Sequence, residues 1–163
     1  QTLRRCFGDQ HLLYRLNEAD RTLLVRTEQA GDFSTLSDGY LRKAIEIAKE
    51  PTVELGSVHK LALAGNPVKQ PFSKGPERGK PVALLGVGAR IDWARTQLWR
   101  AGFEAIDIEI VGSQWLKSPK GINVLSVEYR GVVVVRDAEA AQAAVRRGVG
   151  RGKAWGCGML LLT

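Results

Sequence analysis

Residues 148–162 read GVGRGKAWGCGMLLL, in which five glycines and two cations fall within eleven residues and an apolar run follows at once. Glycine loses more conformational freedom on folding than any other residue, so a dense cluster is favoured where the backbone needs positive φ or approaches another group closely. The exposed backbone N–H groups of such a loop can line an anion-binding concavity, flanked here by Arg151 and Lys153. The segment therefore predicts a glycine-rich loop that opens into a C-terminal strand, with an anionic ligand as its first candidate contact.

The spacing of this loop excludes two well-known phosphate-binding motifs. A Walker loop needs Ser or Thr after its lysine, and Ala154 follows Lys153. A dinucleotide-binding fingerprint opens into a helix, whereas this loop opens into a strand-like run. A glycine-rich turn that only lets the final strand pack tightly remains a structural alternative to anion binding.

Working outward from the loop, the second half of the chain predicts a ferredoxin-like unit. Asp137 is typical of a helix N-cap, and a helix over 138–147 follows it. A stripe at Ile91, Ala94, Leu98 and Ala101 predicts a second helix, which ends at Gly102. Strand-like runs occupy 81–87, 103–111, 123–135 and 154–162. The order strand, helix, strand, strand, helix, strand is the βαββαβ unit of ferredoxin-like folds.

The first half predicts the same order without its first strand. Leu3, Cys6 and Phe7 have helical spacing, and Gly8 ends that helix. A hairpin over 11–27, a helix over 36–47 and a strand over 58–65 follow. We therefore expect an α+β fold of tandem ferredoxin-like (βαββαβ) halves, with the first strand of the N-terminal half missing. The predicted domains are an N-terminal half over 1–65, a basic Pro/Gly-rich connection over 66–80, and a C-terminal half over 81–163.

Composition favours a polyanionic partner and gives no sign of a metal site. Among 163 residues, 24 Lys and Arg outnumber 17 Asp and Glu, which gives a formal net charge of +7. No apolar run approaches the roughly 20 residues of a membrane-spanning helix, so we expect a cytoplasmic protein. Cys6 and Cys157 lie far apart without CxxC spacing and are expected to be buried thiols, and His11 and His59 lack the spacing of metal ligands.

The glycine segment resembles the C-terminal signature of the repeat-associated RNA-binding superfamily, most closely that of the CRISPR repeat-cleaving endoribonucleases of the type I-E Cascade complex, the CasE family. Three further stretches agree with that family in order and spacing. They are GNPVK (65–69), IDWARTQLWRAGF (91–103), and QTLRRCFG (1–8) followed by HLLYRL (11–16). The resemblance covers nearly the whole chain and implies two ferredoxin-like halves, in agreement with the patterning.

The resemblance implies a metal-independent endoribonuclease without a cofactor. It implies binding of the repeat stem-loop of precursor CRISPR RNA and cleavage at the 3′ base of the stem, through attack by a ribose 2′-OH that leaves a 2′,3′-cyclic phosphate. The product would stay bound, and other Cascade subunits would be partners. Because the nucleophile belongs to the RNA, the protein has to position the phosphate, transfer protons and neutralise developing negative charge.

The resemblance also implies where the site lies. A catalytic histidine is expected just before Gln1, with a tyrosine slightly earlier, and Arg5 matches a position that steadies the phosphate. The turn SQWLKSPKGIN (113–123) resembles the family's groove-inserting basic hairpin. The predicted RNA-binding residues are Arg4, Lys69, Lys80, Arg90, Lys117, Lys120, Arg147, Gly148, Gly150, Arg151, Gly152 and Lys153.

Several alternatives stay open at the level of sequence. A non-catalytic RNA-binding scaffold subunit of a CRISPR effector complex fits the same motifs. A metabolic enzyme that binds a phosphate in the glycine-rich loop is a third possibility. His11 could be catalytic, but a polar residue at a strand edge is the better interpretation of it. The four tryptophans fit a core or an interface at least as well as they fit base stacking.

Overall fold

The computed structural model describes residues 2–17, 20–45, 51–71, 80–118 and 121–163. Its helices and strands follow one another along the chain. They are α1 (Thr2–Phe7), β1 (Leu13–Asn17), β2 (Thr22–Arg26), β3 (Val58–Gly65), β4 (Val68–Lys69), β5 (Val82–Ala83), α2 (Val87–Arg100), β6 (Phe103–Lys117), β7 (Asn123–Val135), α3 (Ala138–Arg147) and β8 (Leu160–Leu162). No helix in these ranges is long and apolar enough to span a membrane.

The central sheet has four strands in the order β6-β7-β3-β8, and each neighbouring pair is antiparallel. In chain order the unit is β3, α2, β6, β7, α3, β8, which is the ferredoxin-like βαββαβ arrangement. Its core joins the sheet to both helices. The fully buried members are Leu63, Ala94, Leu98, Phe103, Val127, Tyr129, Val133, Ala141, Val145 and Leu160.

The first strand of this unit is β3, whereas we expected residues 81–87. Leu61 and Leu63 on β3 are buried between β7 and β8. Residues 81–87 contain only the two-residue β5, which pairs with β4, and α2 begins at Val87. The prediction that β3 closes the N-terminal half was therefore wrong. The domain limits at residues 65 and 80 were drawn on that assignment and stay a prediction.

The described part of the N-terminal half contains α1 and the β1-β2 hairpin, both as predicted. Cys6 on α1 is buried, and the rings of Phe7 and Phe33 meet edge to face at 5.7 Å. The helix expected over 36–47 is absent as far as Ile45, and residues 46–50 lie outside the described residues. Gly39 has a φ of 78°, which ends any helical turn there, and Tyr40 is 66% exposed.

The alternation of inward and outward side chains along strand β6 is interrupted by a bulge. A bulge between Ala105 and Asp107 inserts Ile106 as an extra residue in the pairing with β7. The bulge moves Ile106 to the outer side, where it is 60% exposed, and it turns Ile108 into the core. Although Ile106, Ile108 and Ile110 alternate in the sequence, the bulge shifts the face by one residue and leaves Ile106 on the opposite side from the other two.

Helix α2 ends, and helix α3 begins, where the sequence predicts. Gly102 has a φ of 83° after α2, and the Asp137 carboxylate accepts a hydrogen bond from Ala140 N at 3.0 Å. The two cysteines are buried free thiols, as expected.

Loss of the Asp137 cap provides a local test of α3. We expect Asp137→Ala to lower the free energy of unfolding by about 1 kcal/mol, because the first turn of α3 loses a hydrogen-bond acceptor. Asp137→Asn keeps an acceptor oxygen and serves as the matched variant. Urea denaturation measures both changes, and an equal loss in the two variants would contradict the capping role.

Candidate functional site

The glycine-rich loop has the backbone conformation that its sequence predicts. The φ angles of its five glycines are 71° at Gly148, 67° at Gly150, 82° at Gly152, 78° at Gly156 and 89° at Gly158. All five lie in the region that side chains disfavour. A single turn of 3₁₀-helix, Lys153–Trp155, lies between Gly152 and Gly156.

The loop glycines also permit close approach, and what approaches is protein. A Cβ on Gly148 would lie 2.7 Å from the Leu13 side chain, and one on Gly150 would lie 3.0 Å from the Trp93 ring. A Cβ on Gly152 would lie 3.0 Å from the Asn66 side chain. Close packing thus accounts for these glycines, in agreement with the alternative of a turn that lets the final strand pack tightly. Anion binding by the loop stays a prediction that depends on its cations and backbone N–H groups.

The N-terminal hairpin is hydrogen-bonded to the loop and to the strands beside it. Arg26 donates from Nη1 to the carbonyl of Val145 at 2.6 Å and from Nη2 to that of Leu160 at 3.2 Å. Tyr14 donates its hydroxyl to the carbonyl of Ala154 at 2.6 Å. These bonds attach the first half of the chain to the C-terminal half at the glycine-rich loop. Sequence reasoning missed them, because no local pattern indicates which distant carbonyl a strand arginine reaches.

His11 belongs to the same interface. Its Nε2 lies 3.3 Å from the carbonyl oxygen of Arg147, at the C-terminal end of α3. His59 lies on β3 with its Nε2 2.9 Å from Ser57 Oγ. Each histidine therefore has a local polar partner, which favours the polar interpretation of both over a catalytic one.

Three of the predicted RNA-binding cations lie on one side of the loop. Arg151 donates from Nη2 to Gln70 Oε1 at 3.0 Å, and Gln70 directly follows Lys69 on β4. Lys80 comes two residues before Val82, which pairs with Lys69. Lys69, Lys80 and Arg151 are all exposed. The fold thus brings a basic segment around residue 70 beside the glycine-rich loop.

The other predicted residues lie elsewhere or have other contacts. Arg90 donates from Nε to the carbonyl of Leu84 at 2.9 Å, so it holds the segment that leads into α2. Arg4 and Arg5 are exposed on α1, and Arg4 Nε lies 3.9 Å from Asp9. Within the described ranges, neither arginine contacts the loop through a hydrogen bond or an ion pair. Arg147 is exposed at the end of α3, Lys153 is half-buried in the loop, and Lys120 lies outside the described residues.

Lys117 is one of the residues that line a cleft of about 290 Å³ between the two halves. Strands β1, β3, β6 and β7 line this cleft together with the glycine-rich loop. Inside it, Arg15 Nη2 lies 3.6 Å from Glu128 Oε2. The sequence indicates neither residue as part of a site, because β1 and β7 are brought together only by the docking of the hairpin.

Burial favours the neutral forms of the Tyr14 hydroxyl and the Cys157 thiol. Burial raises the pKa of the Tyr14 hydroxyl, and the nearby Cys157 raises it further. Burial also raises the pKa of the Cys157 thiol, although a hydrogen bond with Ser126 acts in the opposite direction. A neutral buried thiol is neither a nucleophile nor a metal ligand. No group of three or more His, Cys, Asp or Glu side chains suited to a metal ion occurs in the described part of the chain.

Comparison with known proteins identifies the family. A family model described as "CRISPR associated protein" matches residues 1–163. The CRISPR-associated endoribonuclease Cse3 of Thermus thermophilus is 30% identical over 172 residues, which cover 94% of this chain and 80% of that protein. The chain belongs to this family of CRISPR-associated proteins.

Solved structures of CRISPR-associated proteins share the fold. Thermus thermophilus Cse3 bound to an RNA representing a pre-cleavage complex is 29% identical with a TM-score of 0.89, and the match covers 99% of this chain and 85% of that one. Cas6e from Escherichia coli K-12 is 21% identical with a TM-score of 0.75, over 100% and 89% of the two chains, and shows the fold alone. The predicted class of tandem ferredoxin-like halves is confirmed by these matches.

Proposed function

We propose that this CRISPR-associated protein is an endoribonuclease that processes CRISPR RNA. It binds the repeat stem-loop of the precursor, cleaves at the 3′ base of the stem and keeps the mature RNA bound. The observation that carries the proposal is the likeness over 99% of the chain to Cse3 structures described as a pre-cleavage RNA complex and as bound to 19 nt RNA.

The proposed chemistry needs no metal. The 2′-OH next to the scissile phosphate attacks in line, a 2′,3′-cyclic phosphate forms, and the 5′-oxygen leaves with a proton. Arg5 neutralises charge that develops on the phosphate, while Arg151 and Lys153 hold the strand beside the loop. The glycine-rich loop suits this role because its packing against Leu13 and Trp93 fixes its backbone before RNA arrives.

Partners beyond RNA follow from the same family. Chains of this fold, 24% identical with a TM-score of 0.69 in one case, occur in a CRISPR RNA-guided surveillance complex. We extend the proposal to membership of such a complex, Cascade, in the cytoplasm. The bound product then links this subunit to the others.

Cleavage of a repeat hairpin in EDTA tests the proposed function. We expect the full-length protein to produce a fragment with a 2′,3′-cyclic phosphate at its 3′ end. A hairpin with a single 2′-deoxynucleotide at the scissile position is the matched control, and it should bind equally well without being cut. Tight binding without cleavage of the all-ribose hairpin would favour the scaffold function. Indifference to hairpin RNA with binding of small nucleotides would favour the metabolic enzyme.

Charge reversal at Lys117 tests the basic hairpin. We expect Lys117→Glu to weaken hairpin binding roughly tenfold near physiological salt, because a phosphate contact becomes a repulsion. The slope of log affinity against log salt concentration should become shallower by the amount that about one phosphate contact contributes. Lys43→Glu reverses an exposed charge on another segment and serves as the control. An unchanged affinity in Lys117→Glu would remove this hairpin from the RNA interface.

A further inference from the structure

The cleft between the two halves contains a buried guanidinium whose hydrogen bonding is incomplete. The Arg15 side chain is only 18% exposed, and its Nη1 is buried with no hydrogen-bond partner among the described residues. Its other terminal nitrogen, Nη2, is 3.6 Å from Glu128 Oε2, which is an ion pair beyond hydrogen-bond distance. A buried donor without an acceptor costs free energy, so a native structure rarely leaves one without a role.

The cleft has room for one small ligand and a mixed apolar and polar lining. Its volume of about 290 Å³ lies just below the range of roughly 300–1,000 Å³ for ligand sites. Apolar surface comes from Leu16, Leu116 and the Trp155 ring, and hydrogen-bonding groups come from Arg15 and Glu128. A flat ring with polar edges, such as a nucleobase, matches this combination.

The position of the cleft indicates where such a ring would come from. Lys117, at the start of the predicted groove-binding hairpin, lines one part of the cleft, and Gly156 of the glycine-rich loop lines another. An RNA that contacts both elements has to pass over the opening between them. Bases inside an A-form stem are inaccessible, so a base that enters the cleft is unpaired and adjoins the stem.

The Glu128 carboxylate decides which part of the nucleotide faces Arg15. It lies beside Arg15 and is 41% exposed, so it repels a phosphate placed at the same point. A neutral carbonyl oxygen accepts from the Arg15 guanidinium, which lines the cleft, without that repulsion, and an adjacent ring N–H can donate to Glu128. Guanine and uracil present a carbonyl next to an N–H on the pairing edge, whereas adenine and cytosine present an amino group beside an unprotonated nitrogen.

We propose that the cleft between β1 and β7 binds one unpaired guanine or uracil nucleotide next to the repeat stem, through Arg15 and Glu128. The proposal rests on the proposed function, because it adds a specificity site to the same RNA complex. The phosphate of the bound nucleotide faces Lys117 in the lining of the cleft, and its base stacks among the apolar side chains. The repeat is then read by the shape of its stem and by the identity of one flanking base.

Binding of two hairpins to the full-length protein tests the proposal. One hairpin ends at the base of its stem, and the other carries unpaired nucleotides on both sides of the stem. A hairpin that contains the scissile position has a 2′-deoxynucleotide there, so that it is bound without being cut. We expect the flanked hairpin to bind more tightly. At the one unpaired position whose base enters the cleft, an abasic replacement, an adenine or a cytosine should weaken binding of the flanked hairpin about tenfold.

Variants separate base recognition from a purely structural ion pair. Arg15→Ala should lose the preference for guanine or uracil while binding of the unflanked hairpin stays within about twofold. Arg15→Lys keeps the positive charge beside Glu128 but not the fork of N–H donors, so it should also lose the preference. Arg100→Ala removes an exposed charge from the end of α2 and should leave the preference intact.

Three results would overturn the site. They are equal binding of all flanking bases by the wild type, an equal loss on both hairpins in Arg15→Ala, and a full base preference in Arg15→Lys. The last two indicate that the ion pair only holds the halves together. Failure of the wild type to bind even the unflanked hairpin would instead reject the proposed function, and the nucleotide site with it.

Discussion

Replacement of Gly158 by alanine is expected to lower the free energy of unfolding by roughly 3 kcal/mol or more. The φ of this residue is 89°, and a Cβ there would lie 2.5 Å from the carbonyl oxygen of Val149. The backbone has little freedom to move away. Gly158 N donates to Ala64 O at 2.7 Å, and its carbonyl accepts from Val149 N at 2.8 Å. Urea denaturation followed by circular dichroism measures the loss.

Gly56 offers a matched control for this substitution. Its φ is 80°, and a Cβ there would meet nothing within 4 Å. Gly56→Ala therefore isolates the cost of the left-handed backbone, which is about 1–2 kcal/mol for a side chain. The difference between the two variants measures the close approach to Val149. Equal losses at both positions would contradict the claim that packing of the loop is what requires glycine.

Reversal of both loop cations is expected to have the largest effect on RNA binding. We expect the double variant Arg151→Glu and Lys153→Glu to bind the repeat hairpin about 100-fold less tightly near physiological salt, because two phosphate contacts become repulsions. The slope of log affinity against log salt should fall by about two contacts. Fluorescence anisotropy over a salt series measures both quantities.

The double variant Arg42→Glu and Lys43→Glu is the matched control, because it makes the same charge change at exposed residues outside the loop. It should alter long-range attraction slightly without changing the salt slope by more than a fraction of a contact. An unaltered slope in the loop variant would show that Arg151 and Lys153 contact no phosphate. The glycines would then serve only the packing described above.

Local sequence signals predicted where helices and strands form better than they predicted which strands pair. Asp137 and Gly102 mark the ends of helices through interactions within a few residues, and both positions were confirmed. The place of β3 depends on pairing with β7 and β8, which lie far along the chain, and its sequence carries no information about those partners. The stripe over 36–47 has helical spacing, but a glycine at positive φ within it prevents a helix through Ile45.

The same distinction applies to the site. The loop glycines could be predicted because positive φ is a property of the residue itself. Their neighbours could not, since Leu13 and Trp93 reach the loop from distant elements. Arg15 and Glu128 are ordinary charged residues of two strands in the sequence, and only docking of the hairpin makes them an ion pair. Sites built from single segments are visible in a sequence, and sites built between halves are not.

The attachment of the hairpin to the glycine-rich loop bears on the order of folding. Leu13 occupies the space beside Gly148, and Arg26 bonds to the carbonyls of Val145 and Leu160, so these contacts join the two most distant parts of the chain. Closing so large a loop is slow, and contacts of this range form late. The loop therefore reaches its final shape only when both halves have folded. In partly folded molecules the proposed RNA contacts of Arg151 and Lys153 have no fixed geometry, so we expect only the folded protein to bind a transcript tightly.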